Sequence, residues 1–497
     1  MIRNDASVRS EGSRAESPLA SPWRRGAVRF GLTLFLLLTA SRAPAAALEP
    51  PPLKPPQEMF RRHREQFLSK LPPRAIAILR SAPPRVYSND TEYVYRQDSD
   101  FHYVTGLDDP DSTAVLRPNA PDGKRYVLFV RGHDLRREAY EGARPGPEGA
   151  VSEYGADAAF LSSDFPNALA HYDAVTRAYA GIFDGVETIY LEDGGDAVWA
   201  ERLRDFVAAM RARDAGPPAT MDARELLHEM RLVKDADEIA LLRRAAELSA
   251  RGHILAMKAA APGRWEFEVQ QALEGYCQGN GARMAYPSIV GSGPNSVFLH
   301  WNKNNRQMSA GEVLLNDSGA EYAYYASDVT RTYPVGGRFS PEQRAIYEIV
   351  LAAQKDAIQA IRPGVPQEEI ERRSARVQTE GLVRLGLLAG EIDRLLKENI
   401  YKRFTIHGVS HWVGLDVHDA GKYRVGGGSR VLEAGMVLTV EPGIYIPARA
   451  TGVDPKWWNI GVRVEDTLLV TKDGSECLSC AAPREIADVE KTVGSKR

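Results

Sequence analysis

The amino-acid sequence predicts an α+β protein of two domains: an α/β domain over 58–215, then a larger one over 231–490 in which helices alternate with antiparallel strand pairs. Three observations carry this. At 497 residues the chain exceeds one typical domain of ~100–200 residues. Helix and strand patterns interleave before residue 215 and segregate after it, which separates α+β from a doubly wound parallel sheet. With 26% charged and 43% hydrophobic residues, 42 Gly and 31 Pro, the composition is globular and excludes collagen, coiled coil and wholesale disorder. A net charge of -3, from 63 basic and 66 acidic side chains, gives no bulk attraction to nucleic acid, so no such partner is expected.

In chain order, residues 1–29 hold six arginines against three acids, and an apolar run follows from Phe30 to Ala40. That run is short of the ~20 residues that span a bilayer. With the small residues Ala45-Ala46-Ala47 after it, it forms the pattern of a signal peptide over 1–47. Export to a periplasmic or secreted location is therefore expected, by Sec or Tat, without stable membrane insertion once the segment is removed. A Pro-rich spacer covers 48–57. Met59–Leu71 has helical spacing, Ala75–Leu79 and Tyr126–Val130 read as buried strands, and Pro145-Gly146-Pro147 reads as loop.

The Gly216-Pro217-Pro218 punctuation opens an expected linker over 216–230. Asp222–Ala250 is rich in helix formers, and further helices are expected over Phe267–Gln278, Pro341–Ile361 and Gln367–Leu387. Residues 491–497 are expected to be a tail. The three cysteines are too few for a disulfide framework. Cys477 and Cys480 form a lone CxxC, read as a bridge between the two or as two free thiols.

The chemistry concentrates in four segments. Val313–Asp317 and Tyr325–Tyr333 flank a turn expected near Tyr322-Ala323, which sets Asp317 opposite Asp328. Facing carboxylates are unfavourable unless a proton or cation lies between them. Three of the ten histidines, His407, His411 and His418, fall within twelve residues. Glycine and β-branched neighbours make that stretch a loop running into a strand. Glu441 ends an apolar strand before Pro442-Gly443, and a buried glutamate needs a partner. Ile460–Glu465 alternates, so that Gly461, Arg463 and Glu465 share a face, where Arg463 steadies Glu465 and the glycine leaves room beside them. One imidazole and four carboxylates suit Mn²⁺, Co²⁺, Fe²⁺ or Zn²⁺ in a two-metal cluster, and metal-activated hydrolysis is the matching chemistry.

These segments resemble the pita-bread metallopeptidases, and among them the aminopeptidase P (Xaa-Pro aminopeptidase) family. The matching stretches are Tyr286–Gly293 with Leu299-His300, N-D-S-G around Asp317, S-D-V-T-R-T-Y-P around Asp328, H-G-V-S-H-W-V-G-L-D-V-H-D, V-E-P-G-I-Y and G-V-R-V-E-D. The likeness runs from about Met59 to Val489, with an aminopeptidase P type of N-terminal domain before a pita-bread catalytic domain. It implies hydrolysis of the bond between an N-terminal residue and a penultimate proline, with two divalent ions, Mn²⁺ foremost. Asp317 would bind one ion, Asp328 and Glu465 would bridge both, and His411 with Glu441 would complete the second. A bridging hydroxide would attack the carbonyl, with Glu441 as general base. His300, His407 and His418 would line the pocket, His418 bonding the carbonyl oxygen. Tyr286, Tyr445 and Arg463 would support substrate and ligands. A homodimer or homotetramer is expected. One departure is His102, which stands where relatives often carry tryptophan. Two further readings are a dipeptide-specific prolidase and an inactive peptide-binding module.

Overall fold

The computed structural model describes residues 54–493, apart from 121–122, 170 and 174–177, together with residue 495. The signal peptide, residues 48–53 of the spacer and residues 494, 496 and 497 of the tail lie outside the described residues.

The first half contains α1 (Gln57–Lys70), β1 (Ala75–Arg80), α2 (Ser99–Thr105), β2 (Thr113–Leu116), β3 (Tyr126–Val130), β4 (Ala158–Leu161), β5 (Thr188–Glu192), α3 (Ala197–Arg211) and β6 (Ala219–Asp222). On α1 the buried residues Met59, Phe60, His63, Arg64, Phe67 and Leu68 recur every three to four positions, the period of one helix face. The six strands form one sheet in the order β6-β5-β1-β2-β3-β4. β1 lies between parallel β5 and antiparallel β2. Covered on both faces, it reads as an unbroken apolar run rather than an alternating one.

Several boundaries differ from expectation. The 145–147 segment is no plain loop, because Gly146–Ser152 is helical, and Pro147 suits a first helical turn that needs no N–H there. The stretch 216–230 is not a linker: it supplies β6, which pairs in parallel with β5, and most of α4 (Arg224–Leu232). The helix-forming run then breaks at Val233-Lys234-Asp235 and restarts as α5 (Ala236–Ala259). Asp235 caps that restart. Its side chain accepts from the Asp237 and Glu238 N–H groups, while Glu238 accepts from the N–H of Asp235, a reciprocal capping box.

The second half continues with α6 (Glu266–Gly279), β7 (Ile289–Ser292), β8 (Val313–Asp317), β9 (Ala320–Tyr322), β10 (Tyr325–Ala326), β11 (Thr330–Pro334), α7 (Pro341–Ala360) and α8 (Glu368–Arg384). It ends with β12 (Val437–Val440), β13 (Gly443–Ile446), β14 (Ile460–Arg463), β15 (Asp466–Val470), β16 (Ser475–Cys477) and α9 (Ile486–Val493). α9 extends past residue 490 to Val493, which is buried with Val489, so the first three residues of the expected tail complete a packed helix, with Lys491 exposed. All strand pairs named in this half are antiparallel: β7-β8-β11, β9-β10, β12-β15-β16 and β13-β14. This is the segregation that defines α+β. Cys477 and Cys480 are disulfide-bonded.

The β9–β10 hairpin turns at Ala323-Tyr324, both left-handed with φ of 49° and 75°. Its register pairs Asp317 with Thr330, not with Asp328. The two aspartates are diagonal neighbours, two residues out of step, and still on the same face. Gly319 is required because a Cβ there would sit 1.9 Å from the Ser327 carbonyl oxygen. The hairpin tip meets the first half of the chain: the Tyr324 hydroxyl donates to Asp108 and accepts from the Gln97 N–H at 3.0 Å. His102 stacks on Tyr324 at 3.7 Å between ring centroids, so this side chain is buried within its own chain.

A charged cluster joins the two halves. Arg231 donates to Asp100 at 2.8 Å, Asp416 at 2.7 Å and Asp419 at 2.5 Å, and Lys234 donates to Asp419 at 2.9 Å. Burial opposes charge on Asp419, yet Lys234 and Arg231 outweigh it and hold its carboxyl down at about 2, against an ordinary 3.8. A depressed folded value contributes stability that is present above about pH 4 and lost as pH falls towards 2. Asp419→Asn is therefore expected to unfold at lower urea than the parent at pH 5. That gap narrows in urea titrations repeated between pH 4 and 2.

Candidate metal centre

The four carboxylate candidates sit at or beside strand ends, so backbone pairing fixes their positions. Asp317 ends β8, Asp328 lies two residues before β11, Glu441 follows β12, and Glu465 lies between β14 and β15. His411 belongs to an irregular segment that runs beside β12 without becoming a strand. Its only bridge pairs Trp412 with Leu438, while the N–H groups of Thr439 and Glu441 donate to the carbonyls of His411 and Val409 at 2.9 and 2.8 Å.

These elements bring Asp317, Asp328, His411, Glu441, Glu465, His300, His407, His418 and Arg463 around one cavity of about 260 Å³. The Tyr286 hydroxyl lies 2.6 Å from an oxygen of Asp317 and 2.6 Å from one of Asp328, tying the two carboxylates together. His411 donates Nδ1–H to the Trp412 carbonyl at 3.0 Å. That bond leaves Nε2 facing Asp328 at 3.4 Å and Glu441 at 3.3 Å. His418 is exposed, and its ring lies 4.0 Å from that of His411. His300 is exposed at the rim.

Arg463 does not steady Glu465 directly. It pairs with Asp317, donates to the Tyr445 hydroxyl at 2.8 Å and to Thr330 Oγ1 at 2.9 Å, and Thr330 in turn donates to Glu465 at 2.6 Å. Nor does Gly461 make room for these side chains; a Cβ there would lie 2.0 Å from the Ser296 carbonyl oxygen, so its space belongs to that backbone. The Tyr445 hydroxyl donates to His407 Nε2 at 2.8 Å, and His407 Nδ1 lies 3.5 Å from Glu441. Burial, followed by the Arg463 charge, lowers the His407 imidazole to about 4, so it is neutral and accepts from Tyr445. Sequence reasoning missed Thr330 and also Thr439, whose hydroxyl receives the His411 N–H at 3.1 Å and donates to Glu441 at 3.3 Å. Both lie two residues from a ligand on the same strand face, and that spacing was the available clue.

The electrostatics call for cations. Burial raises Asp317, Glu441 and Glu465 above the ordinary carboxylate range, and neighbouring carboxylates add to it against the pull of Arg463. Asp328 is the exception: burial opposes its charge, but His411 and Tyr286 hold it below its ordinary value. Burial likewise opposes charge on His411, yet Asp328 and Glu441 push it up to about 9. A proton would thus occupy the cluster unless divalent ions replace it. Four carboxylate groups with one imidazole match the donor preferences of Mn²⁺, Co²⁺, Fe²⁺ and Zn²⁺.

Comparison with known proteins agrees with this geometry. Residues 240–472 match metallopeptidase family M24, and residues 60–178 match the aminopeptidase P N-terminal domain. The Xaa-Pro aminopeptidase of Escherichia coli is 36% identical over 446 residues, covering 89% of this chain and 98% of that protein. Among solved structures, aminopeptidase PepP of Pseudomonas aeruginosa superposes with a TM-score of 0.83 at 41% identity, over 89% of this chain and 99% of that one. Aminopeptidase P from Escherichia coli, solved with the inhibitor Pro-Leu, gives 0.82 at 36% identity, over 88% and 98%.

Proposed function

The chain belongs to metallopeptidase family M24, and on that premise we propose that it is a Xaa-Pro aminopeptidase, releasing an N-terminal residue when proline stands second. The observation that carries the proposal is the convergence of four carboxylates and His411 on one cavity that also holds three further histidines. The match over nearly the full length of proteins named Xaa-Pro aminopeptidase favours this over a prolidase or an inactive binding module.

Asp317 would hold one divalent ion, Asp328 and Glu465 would be shared by two, and His411 with Glu441 would complete the second, with Mn²⁺ foremost. Ions bound there lower the pKa of water and polarise the scissile carbonyl. The side chains do the rest. Glu441 takes up the proton of the attacking water and returns it towards the proline nitrogen, which has no N–H in the peptide and must gain one to leave. His418, exposed beside His411, donates to the carbonyl oxygen as charge develops there. Arg463, Tyr445 and His407 form a donor chain that holds the His407 ring in one orientation beside Glu441. Tyr286 keeps Asp317 and Asp328 at a fixed separation, and His300 meets the substrate at the rim.

Assays of the purified chain with Mn²⁺ should show hydrolysis of an Xaa-Pro-Xaa tripeptide. Cleavage of an Xaa-Pro dipeptide alone would assign it as a prolidase. Well under one ion per chain by elemental analysis, with no peptide turned over, would restore the binding module. Homodimer or homotetramer assembly is part of the same proposal. So is export, which rests on the order of basic flank, apolar run and Ala45-Ala46-Ala47. N-terminal sequencing of the exported protein is expected to begin after residue 47.

A further inference from the structure

A second imidazole–carboxylate cluster lies away from the catalytic cavity, where α1 meets the start of α5. His63, only 2% exposed, stacks on the Tyr103 ring at 4.0 Å between centroids. Its Nδ1 lies 3.0 Å from the Tyr103 carbonyl oxygen, which can only accept, so the ring proton sits on Nδ1. Nε2 therefore points its lone pair at Asp235 Oδ2, 3.4 Å away, and Glu238 Oε2, 3.7 Å away. Three acceptors converge with no donor among them, and His63 Nε2 is buried without a hydrogen-bond partner.

Two kinds of cation resolve such a convergence, a proton on Nε2 or a metal ion among the three atoms. The distances decide between them. An N–H···O bond is ~2.7–3.2 Å long, so both separations exceed it. Ligands ~2.0–2.2 Å from a tetrahedral ion lie roughly 3.3–3.6 Å apart, so the Asp235 separation of 3.4 Å fits and the Glu238 separation of 3.7 Å lies just beyond. The catalytic centre repeats the layout: His411 gives Nδ1–H to a backbone carbonyl at 3.0 Å and turns Nε2 to two carboxylates at 3.4 and 3.3 Å. Anchoring the far ring nitrogen on a carbonyl is how metal-binding histidines are oriented. The remaining contacts leave lone pairs available. Asp235 Oδ1 caps α5 and Oδ2 receives Arg62 at 3.0 Å, while Glu238 accepts from Tyr325 at 3.1 Å through Oε1 and from the Asp235 N–H at 2.8 Å through Oε2.

We propose that His63 Nε2, Asp235 Oδ2 and Glu238 Oε2 form a site for a divalent ion of the Zn²⁺ class, clasping α1 to the N-terminus of α5. The site is independent of the peptidase reading. With one imidazole and two carboxylates it leaves a fourth position for water.

Zn²⁺ itself is the probe. The full chain and its His63→Ala and Glu238→Gln variants are exchanged into Zn²⁺, desalted, checked for folding by circular dichroism and assayed by elemental analysis. Each folded variant is expected to hold one Zn²⁺ per chain fewer than the parent; equal content in all three overturns the proposal. Anomalous diffraction at the zinc edge from crystals of the parent chain needs no variant. A peak between His63 Nε2 and the two carboxylates supports the site, and its absence there, with a peak in the catalytic cavity, means that a proton fills the gap.

Discussion

Replacing Glu441 with glutamine is expected to lower kcat on an Xaa-Pro-Xaa tripeptide by ~10²–10⁴-fold, the range that a positioned proton-transfer group supplies. The substitution keeps the volume and leaves an oxygen to face His411, so it removes proton capacity more than shape. Glu441 is placed for that exchange: Oε1 lies 3.3 Å from His411 Nε2, Oε2 lies 3.5 Å from His407 Nδ1, and Thr439 donates to Oε1 at 3.3 Å. Metal content measured alongside separates the two roles given to this residue. If the variant keeps its ions and loses turnover, proton transfer is the role lost. If it keeps both ions and full turnover, Glu441 is not the base.

The second large effect falls on stability. Arg331→Met is expected to reduce the unfolding free energy by ~3–5 kcal/mol, because it removes one of the two guanidinium partners of buried Asp466 and leaves several buried carbonyls without their donor. Arg331 and Asp466 are both fully buried and paired at 2.7 Å. The same guanidinium donates to the carbonyls of Thr330 at 2.9 Å, Pro483 at 3.1 Å and Glu465. It thus anchors the backbone at Glu465, a candidate metal ligand, and at Thr330, whose hydroxyl donates to the Glu465 carboxylate. Arg484, Ser479 and Gln354 also reach Asp466, at 2.7, 2.7 and 3.0 Å, which keeps the loss near that of one pair. Guanidinium denaturation measures it, and a change under about 1 kcal/mol would place the pair among those that contribute little. Arg331→Lys should rescue little, since an ammonium cannot reach several carbonyls from one plane.

The four candidate carboxylates were legible because each sits at or beside an apolar strand, and His411 was legible from the clustering of three histidines within twelve residues. The pairing of Asp317 with Asp328 was only half legible. The turn residues Ala323-Tyr324 carry none of the Asn-Gly chemistry that marks a two-residue hairpin loop, so the register could not be read to within two residues. Arg463 and Glu465 were correctly placed on one face by their spacing. The spacing of Thr330 from Asp328 marks the face it occupies, but its link between Arg463 and Glu465 spans more than 130 residues, which local periodicity cannot see. Gly216-Pro217-Pro218 punctuates the chain as expected, but such punctuation does not tell the end of a domain from the approach to an edge strand such as β6. His63 looked like any polar residue on a helix, since its partners lie at the start of a helix 172 residues later.

The grip on the hairpin tip bears on how the protein comes apart. Tyr324 is held by Asp108 and Gln97, and Glu321 by Arg96 at 2.8 Å, so the loop joining Asp317 to Asp328 is fastened at its far end by the other half of the chain. A hairpin of this length would ordinarily fray long before the fold is lost. Fastened at both ends, it opens only when the two halves separate. Amide hydrogen exchange over 317–330 should then run at the rate of global unfolding, and the ligand pair forms one cooperative unit with a domain that supplies none of its atoms.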